Sequence, residues 1–132
     1  MTGYHSRMDE PRRILLVSPD LLATSRIATL ARECQATVET LRSLDQQPAG
    51  PFDLVLVDLD ANRGDPAVIM ARTRAALEAA ARRPGGPPKL VAFGPHVHRQ
   101  RLDDAVAAGA DEAVSRGELL GSFPALVRRW MG

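Results

Sequence analysis

The chain has one cysteine in 132 residues, Cys34, so no internal disulfide can form. That thiol economy fits a reducing compartment, and a cytoplasmic protein is the expectation. Long apolar runs are also missing. None reaches the roughly 18–20 residues of a membrane span. The opening segment, Met1 to Arg13, lacks the apolar stretch of a signal peptide, so no membrane partner is expected. Nor is there an excess of one charge. Seventeen basic residues face sixteen acidic ones, for a net charge of +1. A duplex nucleic-acid binder carries a clear basic excess, so no nucleic-acid partner is expected either. Lysine is almost absent, since sixteen of the seventeen basic residues are Arg, and 20 residues are Ala. GC-rich coding produces this bias, which warns against reading each Arg pair as a site.

Several chemical motifs are missing as well. The chain has no Gly-rich phosphate loop, no Cys-x-x-Cys pair and no Gly-x-Ser-x-Gly elbow. It shows no nucleophile–base pair, and the expectation is that it is not an enzyme. What remains is ordinary globular material, 45% apolar and 25% charged. A chain of this length buries roughly two-thirds of its unfolded surface, enough for one domain with a real core.

Three short apolar runs stand out: Ile14 to Val17, Phe52 to Val57 and Leu90 to Phe93. Runs without alternation suit strands buried on both faces of a parallel sheet. Thr37 to Leu41 and Glu112 to Ser115 are weaker strand candidates. Helical patterns lie between them. Leu22, Ile27, Leu30, Ala31 and Cys34 form one stripe, with Asp20 placed to cap it. Pro66 opens a second helix that presents Val68, Ile69, Ala76 and Leu77. Leu102, Ala105 and Val106 mark a third, over Val97 to Ala108, and Ser122 to Met131 a fourth.

Strand and helix thus alternate about five times, which predicts an α/β fold with right-handed crossovers. The expected architecture is a doubly wound, five-stranded parallel sheet in the flavodoxin-like order 2-1-3-4-5. Residues 1–12 read as a flexible tail and 13–132 as the domain. The second helix is shortened, because Arg42 to Pro51 spans ten residues and includes Pro48, Gly50 and Pro51. In such a sheet ligands bind beyond the carboxyl ends of the strands. That singles out Ser18-Pro19-Asp20, Asp58-Leu59-Asp60, Gly94-Pro95-His96 and Ser115-Arg116-Gly117.

The segment Phe52 to Asp60, the run Ala108-Gly109-Ala110-Asp111-Glu112 and the strand spacing resemble the receiver domain of two-component response regulators. The resemblance covers Arg13 to about Met131. It implies a receiver-like fold, with Asp58 in the place of the phosphoacceptor. Phosphoryl transfer needs charge neutralised in the transition state. The family supplies this with Mg²⁺, held by two acidic residues after strand one. Here those positions are Ser18 and Pro19, with Asp20 one residue late. The family's hydroxyl after strand four falls at Gly94, its switch aromatic at Ala113 and its lysine at Arg116. Beyond Asp58, Ala61-Asn62 replaces the usual Leu-Pro. The chain resembles a degenerate, or pseudo-, receiver that stands alone, since it ends just after the last helix.

Each candidate has a plainer reading beside it. Asp58 is either a phosphoacceptor or a strand-end carboxylate paired with Arg116. Asp20 is a helix cap before it is a ligand, and Asp60 is solvated. His96 and His98 sit on the same rim, but an i, i+2 pair diverges from either a strand or a helix start, so no metal site is assigned. Cys34 packs, and Arg99 and Arg101 lie on solvated helix faces. Trp130 and Met131 are interface candidates, because Trp and Met are enriched at interfaces.

The leading functional expectation is a signal-transduction interaction module. It docks a protein partner or a second copy through the family's fourth helix, fifth strand and fifth helix, without Mg²⁺-dependent phosphorylation and without a cofactor. The alternative is a working phosphoreceiver, with Asp58 as phosphoacceptor, an altered site and Mg²⁺. A third reading is a small-ligand sensor whose crevice is opened by Gly94 and Ala113.

Overall fold

The computed structural model describes residues 11–82 and 84–132. The expected tail therefore lies outside the described residues, apart from Pro11 and Arg12, and Arg12 already belongs to the first strand. Five strands run β1 (Arg12–Val17), β2 (Ala36–Leu41), β3 (Leu54–Asp58), β4 (Lys89–Gly94) and β5 (Glu112–Ser115). All neighbours pair in parallel, and the sheet order is β2-β1-β3-β4-β5. The fold is the doubly wound α/β sheet expected from the sequence. Ile14 to Val17 and Leu54 to Val57 are fully buried, which explains why these runs carry no polar alternation.

Helices cover both faces. The strands are linked by α1 (Leu21–Glu33), α2 (Pro66–Glu78) and α3 (Arg99–Ala107), the last preceded by a 3₁₀ turn at His96–His98. After β5 come α4 (Arg116–Gly121) and α5 (Phe123–Met131). One core packs Ile14, Leu16, Leu54, Leu56, Val91 and Phe93 against α1, α4 and α5. The other packs Leu15, Val17, Val55, Val57 and Ala92 against α2 and α3. The split follows the two-residue period of a strand. Among the described residues no helix is long and apolar enough to cross a membrane.

Four features differ in detail from the sequence reading. First, the shortening between β2 and β3 reaches its limit, since the connector has a turn at Ser43–Gln46 and no helix. Side chains hold it instead. Gln46 Oε1 accepts the Arg42 and Ser43 amides, and Glu39 Oε2 accepts the Ala49 amide. Second, Ser115-Arg116-Gly117 is not a plain loop. Ser115 caps α4 by accepting the Glu118 amide at 3.0 Å. The Ser-x-x-Glu spacing is a helix-start signature that the sequence reading passed over.

Third, three stripe residues turn outward. Leu22, Val68 and Val106 are exposed, while Ile27, Ile69 and Leu102 carry the packing. Fourth, Trp130 turns inward. Phe123, Leu126, Val127 and Trp130 fall at i, i+3, i+4 and i+7, so the helical period turns the indole inward. The ring is 6% exposed, and Nε1 donates to Glu112 Oε1 at 3.0 Å. Met131 is half-buried against the same core, so neither interface candidate presents a free side chain.

Candidate functional site

The site begins with strand register. Leu16 pairs with Leu56 and Val17 with Val57, so the next residues, Ser18 and Asp58, lie side by side at the carboxyl edge. Both follow the even-numbered positions that face the α1/α5 side. Both side chains are fully buried, and Ser18 Oγ donates to Asp58 Oδ2 at 2.8 Å. The same Ser18 oxygen accepts the Asp20 amide at 3.1 Å.

The other carboxylate oxygen is committed as well. Asp58 Oδ1 accepts the backbone N–H groups of Asp60 and Ala61, each at 3.0 Å. Arg116 Nη2 stands 3.6 Å from Asp58 Oδ2 and 3.6 Å from Asp60 Oδ2. Taking a carboxylate out of water costs several kcal/mol, about what paired charge and good hydrogen bonds return. Two amides, one hydroxyl and one guanidinium surround Asp58 in that role. Arg116 itself is only partly served, since its buried Nε and Nη2 make no hydrogen bond.

The loop after β3 is tied down by residues that the sequence reading did not single out for this purpose. Asn62 Nδ2 donates to Val17 O at 3.0 Å and to Asp58 O at 2.8 Å. It thereby spans β1 and β3 below the carboxylate. A short polar side chain four residues after a strand-end Asp was the available signal, because Asn readily bonds nearby backbone.

The remaining candidates separate into those near Asp58 and those turned away. Pro19 is exposed and offers no side-chain ligand. Asp20 is turned to the helix, where Oδ1 accepts the Leu22 amide at 2.9 Å and the Ala23 amide at 3.4 Å. Asp60 is exposed and reaches Arg116. Gly94 is buried at the end of β4, and Ala113 packs half-buried on the α2/α3 side. His96 and His98 are exposed on the 3₁₀ turn. Cys34 is half-buried against the α1 core.

This donor set does not fit Mg²⁺, a hard cation that is held by carboxylates and water. The hydroxyl of Ser18 is spent on Asp58 and the Asp20 carboxylate on helix capping. The nearest charge to Asp58 is a guanidinium. Among the described residues no three His, Cys, Asp or Glu side chains gather in a metal-binding group.

No protein-family model matches the chain, and no curated protein matches it. Solved structures do. A response-regulator receiver domain from Bermanella marisrubri is 16% identical with a TM-score of 0.67, over 92% of this chain and 99% of that one. The receiver domain of a sensor histidine kinase from Pseudomonas aeruginosa PAO1 is 17% identical with a TM-score of 0.64, over 92% and 98%. That protein holds a magnesium ion in its active-site cleft. Full-length FixJ from B. japonicum is 16% identical with a TM-score of 0.69, over 89% of this chain and 56% of that one.

The chain has the receiver-domain fold. In that fold the carboxyl edge carrying Asp58 is the ligand edge of the sheet. The arrangement around it is this chain's own, a buried carboxylate closed by Ser18, two amides and Arg116.

Proposed function

We propose that this chain is an atypical receiver, a signal-transduction module that acts by docking and not by Mg²⁺-dependent phosphoryl transfer. One observation carries the reading. Asp58 is sealed from solvent with both oxygens engaged, by a hydroxyl on one side and two amides on the other. A nucleophilic carboxylate needs a free lone pair in line with phosphorus and positive charge on the equatorial oxygens. Here three donors already bond the two oxygens, and the positions of the family's acidic pair hold Ser18 and Pro19.

In this reading the chain is not an enzyme and needs no cofactor. Its partner is a protein or a second copy, met in the cytoplasm through the face of α3, β5 and α5. Val106 is 45% exposed on α3, and Arg128 and Arg129 are exposed on α5. Nucleic acid and membrane are not partners in this reading.

One observation favours the phosphoreceiver alternative. Arg116 Nε and Nη2 are unspent donors beside Asp58, the kind of group that pairs with a phosphoryl oxygen. Intact mass after incubation with acetyl phosphate and Mg²⁺ separates the two. The docking reading expects unmodified protein. A phosphoryl adduct that disappears in Asp58→Asn overturns it.

A further inference from the structure

Arg101 stands in the first turn of α3, where the helix dipole disfavours a cation. Its contacts explain the placement. The guanidinium crosses to the loop between β3 and α2, where Nη1 donates to Gly64 O at 2.8 Å. Nη2 donates to Leu59 O at 2.7 Å and, at 3.4 Å, to Asn62 O. A planar fork with several donors can span such a set of carbonyls, and an ammonium cannot. Arg101 is therefore not the solvated residue that its sequence context suggests.

The same loop is held from its other side by Asp58. The carboxylate accepts the Asp60 and Ala61 amides, while Asn62 bonds the Asp58 carbonyl. Six consecutive residues, 59–64, are thus strung between the Asp58 carboxylate and the Arg101 guanidinium. Leu59 and Leu102 also share one apolar core cluster, so the polar grip of Arg101 runs beside a packing contact. The Asp60 N–H that Asp58 accepts and the Leu59 carbonyl that Arg101 grips belong to one planar peptide unit.

We propose that Arg101 is a positioning residue that couples the Asp58 pocket to helix α3 through loop 59–64. The coupling stands on this geometry. It does not depend on whether Asp58 is ever phosphorylated. Coupling of this kind shows as non-additivity between variants at the two ends.

The test is hydrogen exchange on the full chain, comparing wild type, Asp58→Ala, Arg101→Ala and the double variant. Asp58→Ala is expected to speed exchange in loop 59–64 and in α3 by about fivefold more than in the strand core, which reports the global loss of stability. In the Arg101→Ala background the loop still responds to Asp58→Ala and α3 does not. A purely structural role for Arg101 gives additive effects, and a persistent α3 response in the double variant overturns the proposal. So does an α3 helix that ignores Asp58→Ala in the wild-type background. If Asp58→Ala fails to fold, Asp58→Asn takes its place, with the same two overturning results. Arg101→Lys is expected to behave as Arg101→Ala, since a single ammonium cannot hold the three carbonyls. The phosphoryl mass measurement judges the docking reading separately, so the two failures are distinguishable.

Discussion

The hydroxyl of Ser18 donates to the Asp58 carboxylate at 2.8 Å, and solvent reaches neither side chain. This bond reverses the usual electrostatics of crowded carboxylates. Where acidic groups converge, removing one relieves repulsion. Here Asp58 is surrounded by donors, so its loss leaves a hydroxyl and two amides unanswered and Arg116 with Asp60 as its remaining partner.

Asp58→Ala is therefore expected to destabilise the domain by about 3–5 kcal/mol, the cost of breaking a buried polar pair from one side. Ser18→Ala removes one bond to a charged group and is expected to cost about 1–3 kcal/mol. Urea unfolding followed by circular dichroism measures both. An Asp58→Ala protein more stable than wild type contradicts the description of the site.

Arg116 is expected to couple to Asp58. A double-mutant cycle between Arg116→Ala and Asp58→Ala should return an interaction energy of about 1–2 kcal/mol. The value is held down by the 3.6 Å separation and by the partial exposure of the guanidinium. Strict additivity in the same unfolding assay removes Arg116 from the account.

Trp130 is placed to report on the core. Its indole is buried and bonded to Glu112, whose other carboxylate oxygen holds Arg129. Native emission is expected to be blue-shifted and resistant to acrylamide, shifting red on unfolding. Trp130→Ala is expected to cost about 3–5 kcal/mol, in the range of large core truncations. Quenching of native Trp130 as readily as free indole argues against this packing.

Two glycines make opposite predictions. A Cβ at Gly94 meets Leu59 Cβ at 3.6 Å and Leu102 Cδ2 at 3.7 Å, ordinary contacts. Gly94→Ala is expected to be neutral or to stabilise by about 0.4–1 kcal/mol, through the unfolded chain. Gly50 has φ +71°, and a Cβ there comes within 2.7 Å of the Ala81 carbonyl oxygen. Gly50→Ala is expected to cost more than about 1 kcal/mol, since the left-handed backbone alone costs that much. Thermal melts of the two variants should move in different directions.

The strands were legible because burial on both faces leaves a continuous apolar signature, as in Ile14 to Val17. That alternation with helices also carried the sheet order. Helix faces were less legible. Leu22 and Val68 are apolar but exposed, since a stripe of Ala and Ile next to them already fills the contact. Helix α4 was passed over because two glycines obscured its Ser-x-x-Glu start. At the site, the pairing of Arg116 with Asp58 could be anticipated from charge and strand ends. The Ser18–Asp58 bond follows from register, which composition does not reveal. The grip of Arg101 on three carbonyls depends on a loop path, and no residue pattern announces a path.

The connector without a helix has a last consequence, for the thickness of the molecule. On the α2/α3 side, β2 presents Thr37, exposed, and Glu39, paired with Arg13 at 3.1 Å. These polar residues occupy the place where a covering helix would require apolar ones. The sheet thins toward β2, where on this face only Leu41 is buried, against the second core cluster with Leu44 of the connector, and no helix covers Thr37 and Glu39. Thin lamination opens first. Hydrogen exchange is therefore expected to be faster on the outer edge of β2 than in β3, which is paired on both sides by β1 and β4.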